Sequence, residues 1–402
     1  MLRSTLTMLA WCALVCGLTL PTLAPGAANM LTLVLIGVGL TLLPTAEGRR
    51  ALWQPATWLP LVAGGLMLLA IAGSAREPMS FGAIIFLVPL FLAAPHAALV
   101  GQLGARLTLT AVGTLALLGA IAGAVVAGFD VFVMGEPRGG VLVNNPIHLA
   151  DLALTLGFVA AVGVLSRWRW RAVFLLGPIA ALLAIWFSGS RGPLVAFVPM
   201  SMAALAGAAL HYLPRRRAWL LIGCGAVAAL LVFAALIGTG WIERTGPFGE
   251  IVSLFRSGEP GDDSTSQRLI MYRSALAAFM ASPVWGHGLG HFMEAAAQFA
   301  PPGARFPKYD HLHNDIADFA VSGGLLGLLS YGLILLAPFA GAWRAQGSQR
   351  APALYLALVA SVGYAGMGLT NAMFGVLAQT LVYTVLLSLI AVLAGRPKES
   401  FP

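Results

Sequence analysis

Three arginines stand at polar sequences in an otherwise apolar chain. Arg191 lies in the short sequence SGSRGP at 188–193, Arg138 precedes the sequence NNP at 144–146, and Arg268 lies in a mixed polar and apolar stretch at 267–280. A guanidinium group can grip two phosphate oxygens at once, and the free N–H groups of a helix N-terminus favour an anion. These arginines therefore predict a phosphate or pyrophosphate site, provided that the fold brings them together.

The densest polar cluster is DHLHNDIAD at 310–318. A neutral imidazole beside carboxylates is a suitable general base near neutral pH, and we expect His313 to be that base. His311, Asn314 and Asp315 are its expected supporting residues. We predict no metal site here, because side chains two positions apart diverge on a helix. Asp315 and Asp318 also have a simpler interpretation, which is that they cap and stabilise the start of the helix that follows.

Each of the other candidates has a plain structural alternative. An arginine at a membrane boundary can simply extend its guanidinium to the lipid headgroups. The short turn around Arg191 limits that reach and favours binding, and Arg268 is also assigned to binding. For Arg138 both interpretations stay open. His148 is one turn into a predicted span, where an internal hydrogen bond is the simpler role, so it is a supporting residue at most.

Composition defines the class of protein that must position these residues. Of 402 residues, 59% are hydrophobic and 9% are charged, and the mean hydropathy is +0.88. So few charged side chains cannot cover a soluble protein, whereas a membrane helix needs roughly 20 apolar residues. We predict an all-α, polytopic integral membrane protein of about 12 transmembrane helices, with one large loop that contains helices. Membrane lipids are expected partners, and nucleic acid is not.

The predicted spans divide the chain into three parts. Spans one to nine occupy 1–239, the large loop occupies 240–313, and spans ten to twelve occupy 314–402. The twelve spans are about 4–21, 28–44, 59–75, 79–95, 107–128, 147–166, 172–187, 192–211, 218–239, 316–340, 352–371 and 375–394. Within the loop, 267–280 predicts a helix on the membrane surface, ended by Pro283 and the glycine-rich sequence at 286–290.

Lysine and arginine predict the orientation. The short loops 166–171 and 212–217 contain basic but no acidic residues, and on their side of the membrane only Glu47 and Glu399 are acidic. Both termini are therefore expected in the cytoplasm, and the large loop on the outer side. Spans six, eight and ten then all begin at the outer face, so their positive dipole ends would point towards the predicted anion site.

Taken in order, these pieces resemble the O-antigen ligase and polymerase superfamily. The resemblance lies in the Ser190-Arg191-Gly192 turn, the large loop with PVWGHGLG at 283–290, and His313-Asn314 followed by GGLLG at 323–327. Arg138 ahead of Asn145-Pro146 is similar to the motif before span six in that family.

The resemblance implies an O-antigen ligase, a metal-independent, inverting glycosyltransferase without a cofactor. Its donor would be undecaprenyl-pyrophosphate-linked O-antigen, and its acceptor would be lipid A–core. Arg191, Arg268 and Arg138 would bind the pyrophosphate, and His313 would take the proton of the acceptor hydroxyl. The implied location is the bacterial inner membrane, with the active site at the periplasmic face.

Three alternatives stay open. An O-antigen polymerase would use a second lipid-linked glycan as its acceptor, and a protein O-oligosaccharyltransferase would use a Ser or Thr side chain. A lipid-glycan transporter belongs to a different class. It is disfavoured because transporters commonly place charge near the bilayer midplane, where these spans carry almost none.

Overall fold

A computed structural model describes residues 2–74, 84–85, 87–142, 145–220, 223–225 and 263–396. In these ranges the regular secondary structure is helical. The α-helices are α1 (Leu2–Leu18), α2 (Pro25–Leu40), α3 (Ala46–Leu52), α4 (Pro55–Ser74), α5 (Val88–Phe91), α6 (Ala93–Val100), α7 (Leu109–Phe132), α8 (Pro146–Ala160), α9 (Leu176–Ser188), α10 (Arg191–Tyr212), α11 (Asp263–Ala281), α12 (Phe292–Gln298), α13 (Asp315–Arg344), α14 (Arg350–Gly368) and α15 (Leu377–Ala394).

Eight helical stretches in the described part are long and apolar enough to cross a membrane. They are Pro55–Ser74, Leu109–Phe132, Pro146–Leu165, Arg171–Ser188, Arg191–Ala209, Asp315–Arg344, Gly347–Gly368 and Leu377–Ala394. These correspond to predicted spans three, five to eight, and ten to twelve. The prediction of an all-α, multi-pass membrane protein is confirmed. The count of about twelve stays a prediction, because the first two predicted spans form shorter apolar helices, Arg3–Leu18 and Pro25–Leu40.

The prediction of a continuous fourth span at 79–95 is wrong for its described part. Val88–Phe91 and Ala93–Val100 are two separate short helices. Pro89 and Pro95 each lie in the first turn of one of them, which is where a residue without an amide hydrogen is tolerated. Ala93–Val100 is buried along its whole length against α2 and α15, so it belongs to the core.

The predicted large loop is described from residue 263 onwards. The predicted ninth span, 218–239, lies mostly outside the described residues, and so does the first part of the loop, 240–262. The predicted loop helix is present as α11, and it ends two residues before Pro283. One side of α11 is buried in a small apolar cluster with α12 and the first turns of α13, which anchors the loop to the bundle.

The longest helix, α13, is interrupted, and the segment after α11 packs against it at the interruption. Gly324, inside α13, has a φ of 58°, so the helix is interrupted there. The interruption leaves backbone groups for the loop: the His287 N–H donates to the Val321 carbonyl at 2.8 Å, and the Leu325 N–H donates to the Pro283 carbonyl at 2.7 Å. Backbone pairing thus fixes the loop to α13 between Val321 and Leu325.

Candidate active site

The turn between α14 and α15 joins the N-terminal parts of three spans. Asn371 Nδ2 donates to Asp151 Oδ2 of α8 at 2.7 Å, and the Met373 N–H donates to Asp315 Oδ1 of α13 at 2.9 Å. Gly192 of α10 packs so closely on this turn that a β-carbon there would lie 2.2 Å from Thr370 Oγ1. The N-termini of α8, α10 and α13 are therefore neighbours, which is the arrangement that the alternation of the spans predicts.

Arg138 is held against the N-terminus of α10. Its Nε donates to the Ser188 carbonyl at 2.8 Å and its Nη2 donates to Ser190 Oγ at 3.2 Å, while Gly189, with φ of 60°, reverses the chain between them. Burial and then the like charge of Arg191 lower the pKa of Arg138. Two guanidinium groups are thus placed together at a helix N-terminus, an arrangement that favours a bound polyanion.

His313 has an unusual backbone conformation. Its φ is 54°, and among the described residues it is the one non-glycine residue with positive φ. Tyr272 of α11 fixes this backbone, because its hydroxyl donates to the His313 carbonyl at 3.1 Å. The His313 ring lies 4.3 Å from that of His311 and 4.9 Å from that of Tyr309, measured between centroids.

The close approach of the two imidazoles corrects an expectation from the sequence. Side chains two positions apart diverge on a helix, but 309–314 precedes α13 and is not helical. The left-handed conformation of His313 turns the chain so that its N–H donates to His311 Nδ1 at 3.3 Å. In the described part of the chain, no three His, Cys, Asp or Glu side chains are grouped to hold a metal ion.

The surroundings of His313 keep its ring neutral. Burial lowers the pKa of His313 to about 3, helped by His311 and Arg268, while Asn371 opposes the shift. Burial also lowers the pKa of His311, although Asp310 opposes it. The ring is therefore unprotonated throughout the neutral pH range.

Arg268 belongs to the histidine side of the site. Its charge acts on His311, His313 and the carboxylate of Asp151. The structure therefore groups Arg268 with the imidazoles and Arg138 with Arg191. Elements of both groups pack against the turn after α14, since Gly192 of α10 lies against Thr370 and the Tyr272 hydroxyl of α11 donates to the Leu369 carbonyl.

The polar residues at the start of α13 have roles that differ from those expected. Asn314 is the N-cap, since its Oδ1 accepts from the N–H of the third helical residue at 3.1 Å. Asp315 instead accepts from the Met373 N–H, and Asp318 from the Leu312 N–H at 2.8 Å. The expectation that these aspartates cap their own helix is wrong. Both carboxylates bind backbone amides of neighbouring segments, which fixes the histidine-bearing turn to the rest of the site.

Sequence reasoning missed the pair Asp151 and Asn371. Both side chains are buried, at 0% and 1% exposure. Beside their hydrogen bond, three buried atoms have no hydrogen-bond partner: His313 Nδ1, Asn371 Oδ1 and Asp151 Oδ1. An aspartate inside an apolar span is itself a signal of function and could have identified Asp151. Nothing local marks Asn371.

A large cavity opens beside the histidines. Its volume is about 1040 Å³, and its walls include His148 and His311. His148 thus faces open space as well as the bundle interior. No described arginine lines this cavity, so it is separate from the group formed by Arg138 and Arg191.

These features define a multi-pass helical membrane protein with two neighbouring arginines and a buried histidine at converging helix N-termini. Residues 176–332 match a family model described as O-Antigen ligase, so this part of the chain is similar to that family. The matched region runs from α9 to the middle of α13, and it contains Arg191, Arg268 and His313. Members of this family are glycosyltransferase-like enzymes with polysaccharide and lipid substrates. No curated protein matches the chain.

Proposed function

We propose that the protein is an O-antigen ligase. It transfers O-antigen polysaccharide from undecaprenyl pyrophosphate to lipid A–core at the periplasmic face of the bacterial inner membrane. The observation that carries this proposal is that both parts of the site pack against the turn at 369–371. Tyr272 donates to the carbonyls of His313 and Leu369, and α10, whose N-terminus binds Arg138, packs its Gly192 against Thr370. A transfer from a pyrophosphate-linked sugar needs a charge-stabilising site and a base, and these two groups supply them.

The arginines act on the donor. When the bond between the sugar C1 and the pyrophosphate oxygen breaks, negative charge develops on the leaving group. Fixed guanidinium groups stabilise that charge without a metal ion, and one well-placed donor contributes roughly 3–4 kcal/mol. The hydrogen bonds from Arg138 to Ser188 and Ser190 hold its guanidinium in place before the donor arrives.

His313 acts on the acceptor. Its ring accepts the proton of an acceptor hydroxyl as that oxygen forms a bond to the sugar C1, on the face opposite the departing pyrophosphate. Attack from the opposite face inverts the configuration at C1. A positioned base contributes a factor of about 10²–10⁴ to the rate.

Purified protein supplied with its lipid-linked donor tests the proposal. With lipid A–core present, we expect a lipopolysaccharide ladder on a gel, and with the donor alone we expect no longer glycan. A polymer that grows on the donor alone would indicate a polymerase. If no covalent product forms with or without lipid A–core, the remaining function is transport of the lipid-linked glycan. The same reaction should proceed in a chelator, and rescue of a chelated reaction by magnesium or manganese would contradict metal independence.

A further inference from the structure

The cavity beside His148 and His311 has the composition of a sugar site. Aromatic and apolar side chains form much of its wall, among them Phe292, Phe306 and Phe319, and charged or polar side chains stand at the loop that covers it. Aromatic surface with a few convergent polar groups is typical of a pocket that orients a ligand. Its volume of about 1040 Å³ is at the upper end of the usual range of roughly 300–1000 Å³, so it holds several linked rings.

The position of the cavity assigns the ligand to the acceptor side. The rings of His311 and Tyr309 line the cavity and also contact the ring of His313. The Arg138 and Arg191 pair, by contrast, lies at the start of α10, where Gly192 packs against Thr370, and it does not line the cavity. His311 and Tyr309 thus join the cavity wall to the His313 ring, so an acceptor hydroxyl held in the cavity would lie within reach of the base.

We propose that this cavity binds the sugar headgroup of the acceptor glycolipid, a proposal that rests on the proposed ligase function. The cavity is covered by α12 and the segment 306–310, both of which belong to the loop, so it lies at the water-facing end of the bundle. Lys308, Glu294 and Asp310 are exposed residues of its wall and can bind sugar hydroxyls. An isoprenoid tail would instead take an apolar groove between spans.

Filling the cavity tests this assignment. Ala297 on α12 lines the cavity and is half-buried, whereas the adjacent Gln298 is exposed and is not part of its wall. Ala297→Trp should raise the KM for lipid A–core at least tenfold and leave the KM for the donor within about twofold. Gln298→Trp, the matched control on the same helix, should leave both unchanged. A higher donor KM in Ala297→Trp would assign the cavity to the donor glycan, and unchanged constants would overturn the proposal.

A binding measurement separates this proposal from the ligase function. The inactive variant His313→Asn, in nanodiscs, should bind lipid A–core more tightly than lipid A without core sugars, and Ala297→Trp in that background should abolish the difference. Equal binding of the two lipids would show that the cavity does not recognise core sugars. If binding follows this pattern but the wild-type protein transfers nothing, the sugar site stands and the ligase function fails.

Discussion

At the scale of single residues, His313 combines a strained backbone with a neutral ring. A φ of 54° costs a non-glycine residue of order 1–3 kcal/mol, and asparagine and glycine tolerate it better than most residues. His313→Asn and His313→Gly should therefore fold at least as stably as the wild type, yet lose transfer by a factor of about 10²–10⁴. Thermal denaturation and a transfer assay measure the two effects separately. Near-normal turnover in either variant would remove His313 as the base.

The pH profile tests the protonation state of the same ring. The base works when it is unprotonated, and its pKa is lowered from 6.5 to about 3. Activity should therefore stay level from neutral pH down through 6.5 and fall only in stronger acid. A fall centred near 6.5 would show that the ring titrates as a solvated histidine does.

Arg191 is predicted to bind the pyrophosphate through both nitrogens of its guanidinium fork. Arg191→Lys keeps the charge but loses the fork, so it should lose transfer about 10²-fold, close to the loss in Arg191→Ala. Arg273, an exposed arginine of α11, supplies the control, and Arg273→Lys should behave as the wild type. Steady-state transfer rates of the three variants measure these losses. Full activity of Arg191→Lys would contradict bidentate binding.

Asn371 is predicted to orient the catalytic ring. The Asn371 side chain interacts with the His313 ring, and its Nδ2 donates to Asp151 Oδ2 at 2.7 Å. Asn371→Ala should lower kcat by about 10–100-fold with little change in the KM for the donor. Leu369→Ala, an exposed side chain on the same turn, is the control. Equal losses in both variants would indicate general damage to the turn.

At the scale of elements, the loop and α13 meet through glycines. A β-carbon at Gly286, where φ is 66°, would lie 2.5 Å from the Gly323 nitrogen, and one at Gly324 would lie 2.6 Å from the Pro283 carbonyl oxygen. Gly286→Ala and Gly324→Ala should therefore loosen the loop, lower the melting temperature and open 282–313 to protease.

Gly332→Ala, in the same helix as Gly324 but with open space around it, should be neutral or slightly stabilising. Equal protease resistance in Gly286→Ala and Gly332→Ala would show that this close packing is not required.

At the scale of the whole molecule, the orientation in the membrane is a prediction from basic loops. Ser264 and Ser348 are exposed and lie at opposite predicted faces. With Cys12, Cys16 and Cys224 replaced by alanine, an impermeant thiol reagent added outside the cytoplasmic membrane should label Ser264→Cys and miss Ser348→Cys. The reverse pattern would invert the topology and place the site on the cytoplasmic face.

The sequence by itself determined the class of the protein and the local motifs of the site. Long apolar stretches predict membrane helices because each helix must satisfy its own backbone in lipid, so eight of the predicted spans are present as long helices. The Ser190-Arg191 turn and the His313-Asn314 pair were also recognisable, because each stands at the N-terminus of a helix. The span predicted at 79–95 is two short helices over its described part, each with a proline in its first turn.

Only the tertiary structure decided which residues meet. Asp151 and Asn371 are 220 positions apart, and their hydrogen bond depends on how α8 packs against the turn after α14. The imidazole of His311 reaches His313 because the φ of His313 is positive. A histidine at this position does not by itself predict that conformation. The apolar faces of membrane helices look alike in sequence, whereas their packing depends on small residues and close contacts summed over the whole bundle. For that reason the partners of Arg268 and the cavity beside His148 could be found only in the folded chain.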